Sequence, residues 1–189
     1  MAARSRTTSV RVPRPTVYLR PPAHDDVAAF IELNRQSVDF YRGVAFPMLD
    51  PARFAAYVDR CQQPNFAGLL VCRRDDDAIV GCVNLSEIVR GAFQSTYMGY
   101  QVFAPYARQG YMTAAIPLAL RHAFGPLALH RVEANIQPTN EASIRLVRRA
   151  GFECEGYSPR YLKVGGRWRD HERWAMTRER YVALRARHR

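Results

Sequence analysis

Two stretches of this chain place residue types that can do chemistry at usable spacings. The first is PTNEASIRLVRRAGF, residues 138–152, where Asn140 and Ser143 stand three apart. Residues i and i+3 share a helix face, so this amide and hydroxyl can either cap a helix or meet a ligand together. The second is VFAPYARQGYMTAAI, where a polar turn of Arg108, Gln109 and Gly110 feeds an apolar helical run from Tyr111. A glycine turn before a helix leaves first-turn amides unpaired at the positive end of the helix dipole, which is where phosphate binds. Alone, a single glycine between strand and helix is more often only a turn, and no P-loop or dinucleotide glycine pattern accompanies it.

These residues need elements to hold them. VYLR, residues 17–20, alternates as a strand and stops at Pro21. DDVAAFIELNRQSVDFYRG has the apolar stripe of one long helix, with Asp25 and Asp26 in its first turn. A second helix is expected from Asp50 with Pro51 at its first position. FAGLLVCRR and AIVGCVNLSEIV form an expected hairpin across the solvated turn Asp75, Asp76, Asp77, and residues 95–104 form the strand before the glycine turn. The helix after that turn contains Pro117; strand 130–137 and the helix with Asn140 and Ser143, stopped at Gly151, follow it. FECEGYSPRYLKV and RWRDHERWAM, joined at Gly165 and Gly166, close the order β, α, α, β, β, β, α, β, α, β, β. Hairpins alternating with helical crossovers imply an α/β domain with a mixed sheet.

Composition bounds the rest. The 189 residues, 48% apolar and 24% charged, suit one soluble domain. No apolar run reaches the ~18 residues of a membrane span and no secretory leader pattern opens the chain, so a cytoplasmic protein with no membrane association is expected. Cys61, Cys72, Cys82 and Cys154 are scattered and the histidines show no HExxH spacing, which gives no metal site and reduced thiols. The net charge of +11 gathers at the ends: residues 1–20 hold five arginines and no acid, and residues 178–189 hold five against Glu179. Residues 1–16 are expected as a basic flexible arm, because Pro13 and Pro15 interrupt the helix a transit peptide would need, and residues 178–189 as a basic solvated tail. Weak RNA contact through these ends is the partner their charge suggests.

Between the ends, residues 17–177 resemble the GNAT family of N-acetyltransferases, and within it the RimJ type that acetylates ribosomal-protein alanines. The resemblance rests on GCVNLSEIVRGAF, YMGYQV, QGYMTAA, EANIQPTNEASIRLVRRAGFECEGY and GRWRDH. It implies a single-domain GNAT fold, a mixed central β-sheet flanked by helices. It also implies acetyl-CoA as acetyl donor: a pyrophosphate loop matching ARQGYM, with Arg108, Gln109, Gly110, Tyr111, Met112 and Thr113 at the cofactor. Here Ala107 replaces the usual Gln or Arg and Met112 the small residue, so backbone amides carry the binding. By the same resemblance the strand before the loop splays and offers amides of Gln101, Val102 and Phe103 to the pantetheine and thioester, while Asn140 bonds the cofactor.

An amine must then attack the thioester, and an α-amine with pKa near ~7.7–8.0 is partly neutral at physiological pH whereas a lysine near ~10.4 is not. The resemblance makes Ser143 the hydroxyl that protonates the departing thiolate. Glu87 is the leading candidate for a base acting through water and Glu133 the second; the glutamate many relatives carry after the loop is replaced by Ala114. Tyr97, Tyr100, Tyr111, Tyr157 and Tyr161 are candidates to line a peptide channel, and Trp168, Arg169 and Asp170 are read as structural. The expected acceptor is the N-terminal segment of a protein, a ribosomal one by resemblance. A small polyamine or aminoglycoside is the enzymatic alternative, to be told apart by an acidic cleft, and a catalytically weak acetyl-CoA-binding regulatory module is the non-enzymatic one. Monomer and homodimer both remain open.

Overall fold

The computed structural model describes residues 15–45 and 47–187. Most of the expected arm, residues 1–14, lies outside the described residues. Seven strands form one sheet in the order β1-β2-β3-β4-β5-β7-β6, from β1 (Val17–Arg20), β2 (Phe66–Arg73), β3 (Ile79–Val89), β4 (Ser95–Val102), β5 (Arg131–Ile136), β6 (Glu153–Val164) and β7 (Arg167–Thr177). All neighbours are antiparallel except β4 and β5. This is the mixed α/β sheet expected, because the crossover from β4 to β5 through the helix Tyr111–Phe124 supplies the single parallel pair.

Both sheet faces are covered, which is why β2 and β3 read as nearly unbroken apolar runs. Successive side chains point to opposite faces. Val71, Val83 and Leu85 therefore join one core under α3 (Tyr111–Phe124) and α4 (Glu141–Ala150), while Leu70, Cys72 and Cys82 join a second under α1 (Val27–Arg35) and α2 (Pro51–Arg60). In the second core Phe30 meets Phe54 at 4.8 Å between ring centroids and Phe103 edge-on at 5.4 Å. As expected, α2 starts at an Asp50 cap that accepts from the Ala52 amide at 2.9 Å, with Pro51 next.

Two expectations change. The long first helix stops at Arg35, and residues 36–44 run on as turns. The Ser37 hydroxyl donates to the Leu33 carbonyl at 2.6 Å and Gly43 takes φ +81°, local alternatives to a continued helix. The C-terminal segment is no tail: Arg178–Ala186 form α5, capped by Thr177. Tyr181 meets Phe124 in a tilted ring contact at 5.0 Å between centroids, Leu184 packs against the core, and Arg180 donates to the Gly151 carbonyl at 2.6 Å. Its arginines masked an apolar stripe of Tyr181 and Leu184 three apart.

Candidate active site

The site begins where β4 and β5 part. Their parallel pairing covers only Ser95, Thr96 and Tyr97 against Arg131, Val132 and Glu133, and from Met98 to Val102 β4 has β3 on one side and no strand on the other. Into this gap comes Tyr41, from the turns that replaced the end of the first helix. Its hydroxyl donates to the Val102 carbonyl at 2.7 Å and accepts from the Val102 amide at 2.9 Å. Burial pushes the Tyr41 hydroxyl up to about 12, so it keeps its proton at neutral pH.

At one end of the gap stands the N-terminus of α3. Gly110 is its cap residue at φ +86° and offers no side chain; Arg108, at φ +62°, is also left-handed. The first-turn amides of Tyr111, Met112 and Thr113 therefore end in a concave, uncapped turn. Arg108, Gly110, Tyr111, Met112 and Thr113 line a cavity of about 370 Å³ together with Arg145 and Arg149 of α4. Arg145 is bound at 2.8 Å to Glu141, whereas Arg149 has no ion pair among the described residues. A helix N-terminus joined by three guanidinium groups has the chemistry of a phosphate cradle.

A second cavity, about 540 Å³, continues from the first, and Val102, Met112, Ala142 and Leu146 line both. Here α4 presents Asn140 and Ser143. The Asn140 side chain accepts from the Ser143 amide at 3.2 Å, so Asn140 is the helix cap. At the other end Gly151, at φ +94°, and Phe152 donate to the carbonyls of Arg148 at 3.1 Å and Val147 at 3.0 Å, a Schellman closure with Phe152 buried. The Ser143 side chain lies within hydrogen-bonding reach of the Tyr100 hydroxyl. The half-buried Tyr100 hydroxyl, pushed up to about 12 chiefly by desolvation, donates to the Ser143 carbonyl at 3.4 Å. Asn135 on β5, His171 on β7, and Leu162 and Val164 near the end of β6 complete the lining with them.

Comparison with known proteins fixes the family. Residues 16–153 match the family profile described as Acetyltransferase (GNAT) domain. The chain belongs to the GNAT acetyltransferase family. The probable N-acetyltransferase YjcK of Bacillus subtilis (strain 168) is 31% identical over 165 residues, covering 83% of this chain and 91% of that protein. The ribosomal protein uS5-alanine N-acetyltransferase of Escherichia coli (strain K12) is 40% identical over 103 residues, 54% of this chain and 53% of its own length. Among solved structures, Mycobacterium smegmatis RimJ in complex with CoA-disulfide superposes with a TM-score of 0.81 at 28% identity, over 95% of this chain and 92% of that one.

Within this GNAT frame the expected residues fall into three groups. Arg108, Gly110, Tyr111, Met112 and Thr113 come together at the α3 N-terminus, although the Tyr111 ring is buried against Tyr106, leaving its backbone for a ligand. The Gln109 side chain folds back onto the Pro105 carbonyl at 2.9 Å. Val102, Asn140 and Ser143 line the second cavity. The amides of the splayed strand are largely committed: Phe103 donates to the Val80 carbonyl at 2.9 Å and Val102 to Tyr41, while the Gln101 side chain reaches Asn34 at 3.4 Å. Phe103 is thus a core residue rather than a free donor.

Glu87 is not brought to either cavity. A bulge in β3 puts it at φ +50°, exposed, and 3.1 Å from Arg60 of α2. Glu133 pairs with Arg131 at 2.7 Å and lines neither cavity. Both carboxylates are therefore corrected as candidate bases. Asp170 accepts from the Tyr157 hydroxyl at 2.5 Å and the Arg160 amide at 2.7 Å, which holds the β6 bulge that carries Leu162 to the cavity. Tyr41, Asn135, Arg145, Arg149 and His171 were not expected at the site. Arg145 and Arg149 had a signal, since Ala142, Arg145 and Arg149 fall at i, i+3 and i+7 on one helix face.

Proposed function

We propose that this GNAT enzyme transfers the acetyl group of acetyl-CoA to the α-amine at the N-terminus of a protein, a ribosomal protein by its similarity to RimJ-type relatives. The observation that carries the acceptor class is the composition of the 540 Å³ cavity: no aspartate or glutamate is among its described lining residues. A polyamine or aminoglycoside brings several positive charges and needs carboxylates to replace its hydration. An N-terminal α-amine is partly neutral near pH 7.5 and meets an apolar and neutral-polar wall without that cost.

The residues fit the donor. The uncapped α3 N-terminus with Arg108 and Arg149 suits the pyrophosphate, and the continuous second cavity leads from there to Ser143. In this reading Gln109 and Thr113 flank the phosphate loop, Gln101 and Val102 border the pantetheine, and Asn140 holds α4 so that the Ser143 hydroxyl can protonate the leaving thiolate. No helix among the described residues is long and apolar enough to cross a membrane, and a cytoplasmic site of action fits a ribosomal acceptor.

Mass spectrometry of a peptide panel incubated with acetyl-CoA tests the proposal. Peptides with free Ala or Ser N-termini are expected to gain one acetyl group at the α-amine, and spermidine none. Acetylated polyamine beside unmodified peptides would reverse the acceptor assignment.

A further inference from the structure

The GNAT chemistry needs a group to take the proton of the incoming amine, and neither expected carboxylate reaches the cavity. His171 does. It is 3% exposed, sits on β7, and forms part of the wall of the cavity that holds Ser143. Its Nδ1 lies 3.0 Å from the Arg169 carbonyl oxygen two residues earlier on the same strand. A carbonyl oxygen only accepts, so Nδ1 is the nitrogen that bears hydrogen. In the neutral ring the lone pair is then on Nε2, which has no hydrogen-bond partner among the described residues.

A second observation stands beside it. The Oδ1 of Asn135 is buried and has no hydrogen-bond partner among the described residues. Buried polar atoms are nearly always paired, and an orphan in a cavity wall marks a place for a donor from a ligand. Asn135 is paired with Arg173 across β5 and β7, and His171 is two residues before Arg173. Asn135 and His171 therefore lie on one sheet face as diagonal neighbours. One is an unpaired acceptor and the other an imidazole with a free lone pair, both lining the cavity that Ser143 also lines.

We propose that His171 is the general base for the acceptor amine and that Asn135 Oδ1 accepts a hydrogen bond from the same amine and orients it. The assignment rests on the acetyl-transfer reading above but not on which amine is the acceptor, because every protonated amine must lose a proton before attack. Nε2 takes one proton from the ammonium group and releases it to solvent. The freed lone pair forms the C–N bond to the thioester carbon. As the C–S bond breaks, the Ser143 hydroxyl gives its proton to the sulfur, forming the thiol, and the second nitrogen proton restores that hydroxyl; the third stays on the amide nitrogen. Ammonium plus thioester thus gives amide, thiol and one proton. Nothing else titratable lines this cavity except the Tyr41 and Tyr100 hydroxyls, which hold their protons.

The tautomer is read directly by long-range ¹H–¹⁵N NMR of the histidine rings of the full chain, with His171 assigned by its loss in His171→Gln. Hydrogen on Nδ1 is expected; a ring with hydrogen on Nε2 overturns the proposal whatever the activity. Kinetically, His171→Gln is expected to lower kcat at least ~100-fold, within the usual range for a general base, with acetyl-CoA Kd within twofold of the parent. Asn135→Ala is expected to raise the acceptor KM about tenfold, the upper size of one neutral hydrogen bond, with a smaller change in kcat. Each is measured with whichever amine of the peptide and polyamine panel the parent protein acetylates. Transfer to a polyamine alone sinks the α-amine reading and leaves the His171 test intact, whereas His171→Gln retaining more than a third of kcat sinks the base. A parent protein that acetylates no amine of the panel overturns both.

Discussion

The phenolic hydroxyl of Tyr41 closes on both backbone groups of Val102, donating at 2.7 Å and accepting at 2.9 Å. One side chain thereby does at the splayed edge of β4 what a neighbouring strand would do. The position matters because Val102 lines both halves of the long cavity. A pantetheine arm, which carries amides of its own, would find this edge already satisfied by Tyr41.

Tyr41→Phe separates these uses. The substitution leaves the Val102 amide and carbonyl without a partner in the free enzyme, at a cost of about 1 kcal/mol where water can partly compensate. If the donor pairs with that edge, the bound form is spared the cost. Thermal unfolding should show a lower Tm, while calorimetry should show acetyl-CoA affinity raised about fivefold. Weaker binding would mean that Tyr41 helps hold the donor instead of competing with it.

Ser143 and Asn140 divide their work in a way that substitution can resolve. The cap uses the Ser143 backbone amide, which alanine also has. Ser143→Ala is therefore expected to leave stability and acetyl-CoA affinity nearly unchanged while lowering kcat about 100-fold. Asn140→Ala loses the cap and should destabilise the protein by about 1 kcal/mol in urea titrations. Equal kcat for Ser143→Ala and the parent would reduce Ser143 to a helix-face residue.

Local patterns carried the elements well. Asp50-Pro51, Asn140 and Gly151-Phe152 marked helix ends by chemistry that acts within four residues, and all three close as their types require. What failed depended on partners distant in sequence. The α5 stripe is legible only when Phe124 and Gly151 are known to lie beneath it. Glu87 looked suitable on a strand, but a two-residue bulge turned it to Arg60. His171 was hidden among the charges of GRWRDH, and only the β5-β7 register places it beside Asn135.

Arg149 should contribute to donor binding more than Arg145 does. Both line the cavity at the α3 N-terminus, but Arg145 is held by Glu141 four residues earlier, while Arg149 is free among the described residues to meet a phosphate. Arg149→Ala is expected to weaken acetyl-CoA about fivefold at low salt, the worth of a solvent-exposed charge-assisted contact. The difference from the parent should shrink at high salt, where such pairs are screened. A fivefold loss that persists unchanged at high salt would point to packing against Leu146 rather than charge.

Asp26 ties the start of α1 to β1 and gives the fold a pH dependence. Its carboxylate accepts from Arg20 at 2.6 and 2.7 Å and from the Ala23 amide at 2.8 Å. The Arg20 guanidinium, chiefly through these hydrogen bonds, holds the Asp26 carboxyl below its ordinary range. A depressed native pKa means the unfolded chain binds the proton more readily. The stabilisation is therefore complete above the unfolded value of about 3.9 and is lost as pH falls through the lower native value. Asp26→Asn is expected to lower the urea unfolding free energy by about 1 kcal/mol at pH 7, with the gap narrowing progressively below pH 4. A gap that stays constant between pH 7 and pH 3 would show that the carboxylate charge is not what Arg20 recognises.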